Sequence, residues 1–128
     1  MMKILFTSPD ELEISGSYHE MNEIKVKLLS LSEGVNTELC IDTDNNADPS
    51  PYEKALNSMQ AFVSLGPTKI SVVGDNVVIE GSSESFDRFS SFFSFDENEP
   101  PGSHNHHEYI EGDTFIHPNS IPTVVGIE

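Results

Sequence analysis

The sequence predicts a single α+β domain, and three observations predict it. Short runs alternate apolar and polar residues with period two, as at residues 11–15, and read as half-buried strands. Two other segments repeat apolar residues at helical spacing: Met21, Ile24, Leu28 and Leu31, then Phe86, Phe89 and Phe93. A chain of 128 residues, 36% hydrophobic and with eight Phe, has enough apolar material for one core. Each helix carries one apolar stripe. The expected architecture is therefore a mixed or antiparallel sheet with both helices on one face.

Taken in order, residues 3–6 form a short first strand, ended by the turn cluster Ser8-Pro9-Asp10. In the next strand Leu12 and Ile14 share one face and Glu11, Glu13 and Ser15 the other, until Gly16 breaks it. Ser17 is a helix N-cap, and Glu20 three residues later completes a capping box. A helix over residues 18–31 follows. Lys25 and Lys27 lie toward its C-terminal half, where the dipole favours cations, and Gly34 stops it. Residues 37–41 are a strand and 42–51 a polar loop.

Residues 52–65 are ambiguous. Tyr52, Leu56, Met59 and Val63 fit a helix, whereas Ala61, Val63 and Leu65 fit a strand. A short helix passing into an extended segment is expected, ended by Gly66-Pro67. Two β-rich runs, 69–73 and 76–80, flank Gly74-Asp75 and predict a hairpin. A second helix is expected over residues 84–95, then an acidic loop at 96–103 containing Pro100, Pro101 and Gly102. Residues 104–110 read as a strand, and Val124-Val125 mark a short final one.

Ile14-Ser15-Gly16-Ser17 and Ile79-Glu80-Gly81-Ser82 lie 65 residues apart. The order hairpin, helix, strand occurs twice, over residues 1–45 and 67–112, as a repeated structural unit would give.

There are 22 acidic residues against 6 basic ones, a formal net charge of −16. Such a field repels nucleic acid and anionic lipid and attracts basic surfaces. After Arg88 no Lys or Arg occurs, while Asp96, Glu97, Glu99, Glu108, Glu111, Asp113 and Glu128 do. Solubility is one reading of this acidity. An acidic face for a basic protein partner is the other. Cys40 is the only cysteine, which excludes an internal disulfide. Its place in Glu38-Leu39-Cys40-Ile41 predicts a buried, inert thiol. The first residues are too poor in apolar side chains for a signal-peptide core, and no apolar run approaches a membrane span. The expected location is the cytoplasm.

The segment Gly102-Ser103-His104-Asn105-His106-His107-Glu108-Tyr109 is the most unusual. On a strand, His104, His106 and Glu108 share one face. Two imidazoles and a carboxylate are ligands for iron or zinc, so a metal-binding module or metal-dependent enzyme is the alternative functional reading. A fourth ligand, Asp113 or His117, would have to come by a fold-back. The other readings are a plain polar strand and a recognition surface whose charge changes near neutral pH. The loop starting at Asp42, with Asp44 and Asp48, resembles the start of a calcium loop. It has Ala47 where glycine is needed, so an Asx-rich turn is expected. No Gly-x-Ser-x-Gly, phosphate-cradling loop or CxxC is present, and no basic patch suits nucleic acid. Neither a catalytic site nor a cofactor is expected.

Several features of the C-terminal half belong together: Pro51-Tyr52, Gly66-Pro67 before a strand, the Gly74-Asp75 hairpin, and the turn Ile79 to Ser82 into a helix. Gly102-Ser103-His104-x-His106-x-Glu108-Tyr109 and Pro118-x-Ser120-x-Pro122 with a β-branched end complete the set. Over residues 51–125 the chain resembles a family of predicted immunity proteins from bacterial polymorphic toxin systems. The resemblance implies a cytoplasmic antidote that binds and blocks a cognate toxin. Toxins that attack nucleic acids are basic, and an acidic inhibitor associates with them fast by electrostatic steering. The charge pattern nominates Asp96, Glu97, Glu99, His104, His106, His107, Glu108, Tyr109, Glu111 and Asp113 as partner-facing. Tyr109 is the expected anchor.

Overall fold

The computed structural model describes residues 1–128. In chain order its elements are β1 (Lys3–Thr7), β2 (Glu11–Gly16), α1 (Tyr18–Ser32), β3 (Glu38–Asp42), β4 (Lys54–Ala55), β5 (Ser58–Val63), β6 (Lys69–Val73) and β7 (Asn76–Gly81). Then come α2 (Ser83–Ser90), a 3-10 turn (Ser91–Phe93), β8 (His104–His107) and β9 (Thr123–Ile127). The α+β class stands, but the strands form two sheets rather than one. One has the order β4-β1-β2-β9-β8 and the other β3-β5-β7-β6.

The division follows from how the two halves exchange strands. β1 and β2 pair in the first sheet, yet β3 and β5, which follow α1, pair in the second. β6 and β7 pair in the second sheet, and β8 and β9, which follow α2, return to the first. The seams between halves, β2–β9 and β5–β7, are parallel. The repeated order of elements is thus present, and each half completes the other's sheet. Ile4, Phe6, Leu12, Ile14 and Val125 of the first sheet and Met59, Ala61, Ile70, Val77 and Ile79 of the second enter one core cluster. Met21, Ile24, Leu28, Phe86, Phe89 and Phe93 from the helical segments join it and are all buried, as their spacing predicts. Removing each such side chain from water contributes about 1.5–3 kcal/mol.

Local chemistry sets the boundaries. Glu20 N–H donates to Ser17 Oγ at 3.2 Å and Ser17 N–H to Glu20 Oε1 at 2.9 Å, the expected capping box. Gly34 ends α1 with φ 76, and Val35 N–H reaches back to Ser30 O at 3.0 Å. Ser82 caps α2 at the position 65 residues on from Ser17. α2 is shorter than the Phe spacing predicts. Ser90 Oγ and Ser91 Oγ donate to Asp87 O and Arg88 O at 2.7 and 2.6 Å, local bonds that compete with helix continuation. The 3-10 turn still delivers Phe93 to the core. Gly81 sits where a Cβ would lie 3.0 Å from Thr68 Cα, so only glycine lets these backbones approach.

Residues 52–65 contain no helix. Glu53 and Leu56 donate their N–H groups to Phe6 O and Ile4 O at 3.1 and 2.8 Å, so the segment runs extended along the outer edge of β1 before entering β5. Leu56 and Met59 are buried on that extended path, which mimics helical spacing by coincidence. Residues 115–121 cover β6 in the same way: Thr68 N–H donates to Phe115 O, and Ile121 N–H to Ile70 O at 2.9 Å. Cys40 is exposed, contrary to its expected burial. β3 is an edge strand on which Leu39 and Ile41 turn inward, leaving Cys40 on the outer face.

Candidate acidic binding surface

β8 ends the first sheet and carries the histidines into three different settings. It stops at His107, earlier than the expected end at residue 110, so Glu108 leaves the strand and does not extend the row of His104 and His106. His104 and His106 are exposed, with ring centroids 4.9 Å apart, and His104 Nδ1 lies 2.9 Å from Gly102 O. No group of three His, Cys, Asp or Glu side chains is arranged to hold a metal ion. The two proposed fold-back ligands are occupied locally. Asp113 Oδ1 accepts from Phe115 N–H and Ile116 N–H at 2.7 and 3.1 Å, and His117 Nδ1 accepts from Asn119 N–H at 2.9 Å. In the loop after β3, Asp44 and Asp48 accept from Asn46 N–H and Ser50 N–H, the Asx turns expected there.

His107 belongs to the core and leaves the partner-facing set. It is 1% exposed and meets the edges of Phe89 and Phe92 at 4.9 and 4.8 Å between centroids. Its Nδ1 has no hydrogen-bond partner. Burial pushes its pKa down to about 4, although Asp113 and its own backbone pull the other way, so the imidazole is neutral near pH 7. It lines a pocket of about 190 Å³ with Phe89, Phe92, Asp113 and Phe115. Arg88 stands at this pocket with its guanidinium 4.4 Å from the Phe115 ring centroid.

The remaining nominated residues form the outer surface. Asp96, Glu97, Glu108 and Glu111 are exposed, and Glu99, Tyr109 and Asp113 partly so. The acidic loop closes on itself, Glu99 N–H donating to Asp96 O at 3.0 Å and Ser103 Oγ to Pro100 O at 2.9 Å. Beside Tyr109, Ile110 is 69% exposed. Sequence reasoning missed the other side of this surface. Asp10, Glu11 and Tyr52 line one groove of about 230 Å³ with His106 and Glu108. The β2-β9-β8 order brings them together across most of the chain length, and no local signal announces it. Burial, with Glu13 and Glu11 nearby, raises the Tyr52 pKa, so its phenol stays protonated at neutral pH.

Very little of the negative charge is compensated. Of 22 acidic residues only Glu20, Glu128 and Asp75 have a cationic partner: the N-terminus at 2.7 Å, Lys3 at 2.7 Å and Lys54 at 3.0 Å. None of the nominated carboxylates is among them. Compared with known proteins, the chain matches no family model, no curated protein and no solved structure.

Proposed function

We propose that this chain is a non-catalytic, acidic binding protein that captures a basic protein through the surface around residues 96–113. The observation that carries the reading is the uncompensated charge: exposed carboxylates at Asp96, Glu97, Glu108 and Glu111 with no cation paired to them and no Lys or Arg after Arg88. Uncompensated charge of one sign destabilises the compact state through self-repulsion, and a basic partner relieves it. Asp10 and Glu11 extend the same field, and Tyr109 with exposed Ile110 supplies apolar contact area inside it. The resemblance over residues 51–125 makes a toxin the partner of choice and inhibition by direct binding the mode of action. The cytoplasm belongs to the same reading. No helix is long and apolar enough to cross a membrane.

Co-expression with a toxin-like protein, where one is encoded beside this chain, tests the reading. Wild-type chain is expected to restore growth, and Asp96→Asn, Glu97→Gln and Glu99→Gln together are expected to weaken protection while leaving the fold intact. Failure of the wild type to protect, with both proteins present at equal levels, would remove the toxin from the proposal.

A further inference from the structure

We propose that the outer edge of β3 receives an extended basic segment of the partner as an added strand, with basic and apolar residues in alternation. This rests on the reading that the partner is basic, and it concerns a different surface from residues 96–113. The chain covers the β1 edge with residues 53–56 and the β6 edge with residues 115–121, but it leaves the edges of β3 and β8 open, and β3 is the longer. The ladder to β5 shows which groups are free. Val63 N–H bonds to Thr37 O and Thr43 N–H to Asn57 O, so Leu39 and Ile41 face β5 with their main-chain groups. Glu38, Cys40 and Asp42 therefore turn their N–H and C=O groups to the outside. An unpaired row of this kind is a template for a further strand.

The side chains say which strand fits. Glu38, Cys40 and Asp42 are exposed on the outer face of the sheet. Residues of an added strand that stand opposite Glu38 and Asp42 lie on that same face, so cationic side chains there form cross-strand pairs. Leu39 and Ile41 are only partly buried against the core, and the intervening residues of an added strand would finish covering them. A second copy fits badly. Antiparallel pairing of two β3 strands about Cys40 places Glu38 opposite Asp42 twice, and like charges directly opposite destabilise.

The test uses the intact protein and a blocked peptide of about seven residues alternating valine and lysine. Residue-resolved hydrogen exchange reads the outcome. At saturating peptide the amides of Glu38, Cys40 and Asp42 are expected to exchange about ten-fold more slowly. A glutamate–valine peptide, and one with its lysines and valines in separate blocks, should leave them unchanged. Cys40→Pro removes one outward N–H from an edge strand, where proline is tolerated, and should abolish the protection. Should that variant fail to fold, Glu38→Lys with Asp42→Lys keeps the edge and should switch its preference to the glutamate peptide. Peptide-induced changes confined to residues 96–113 would overturn the edge assignment and leave the acidic-partner reading standing. No response anywhere would contradict both. Protection of β3 without peptide, in a self-associated chain, would assign the edge to a second copy instead.

Discussion

Phe89→Ala is expected to destabilise the protein by about 3–5 kcal/mol, a large part of the roughly 5–15 kcal/mol that holds a domain together. Phe89 is fully buried on α2, with its ring 5.3 Å from Phe93 and 4.9 Å from His107. Truncation removes the apolar contact and joins the vacated volume to the existing pocket of about 190 Å³. That pocket is already bounded by α2, β8 and the turn held by Asp113, so neighbouring side chains cannot close the gap cheaply. Phe92, only partly buried, should lose distinctly less when truncated the same way. Urea unfolding of both variants measures this. A loss under about 1 kcal/mol for Phe89→Ala would mean that α2 does not anchor the core.

His107 should make stability depend on pH with a sign opposite to that of the net charge. At pH values above its ordinary pKa of 6.5 the imidazole is neutral both folded and unfolded, and contributes no slope. Between 6.5 and about 4 the unfolded chain binds a proton there and the folded chain does not, so stability falls as pH falls. Below about 4 both states carry the proton and the slope ends. The full window is worth roughly 3 kcal/mol. Protonation of carboxylates over the same range reduces self-repulsion and works the other way. The difference between wild type and His107→Phe isolates the histidine. The wild type should lose up to roughly 3 kcal/mol relative to the variant between neutral pH and about pH 4, read by urea unfolding at several pH values. Parallel pH curves for the two proteins would place His107 in solvent rather than in the core.

The helices, their caps and the Gly74-Asp75 hairpin were legible because each depends on residues within a few positions of one another. Ser17 and Glu20 meet in the first turn, and Phe86 and Phe89 recur along one face of α2, with Phe93 added by the 3-10 turn. The division into two sheets was not legible. It depends on β5 and β9 pairing with strands of the other half, and period-two patterning does not name a partner strand. Residues 52–65 misled because Leu56 and Met59 are buried on an extended path whose spacing matches a helix by chance. Cys40 misled because it lies on the outer face of its sheet, where its register partner Gln60 on the central strand β5 is exposed as well. Of the nominated surface, the acidic loop was readable from composition. The inward turn of His107 was not, since only the chain's path over Phe89 and Phe92 decides which histidine of the row is buried. The contribution of Asp10, Glu11 and Tyr52 needed the strand order.

The most direct measurement of the central claim is the association rate constant with a basic toxin-like protein, taken at low and high ionic strength. Wild type and the variant with Asp96→Asn, Glu97→Gln and Glu99→Gln are compared. Electrostatic steering predicts that the wild-type rate falls steeply with salt, because the Debye length shrinks from about 30 Å at 0.01 M to about 8 Å at 0.15 M. The triple variant should start slower at low salt and fall less, with dissociation changed little. Equal association rates in all four conditions would contradict the account, even if the two proteins bind.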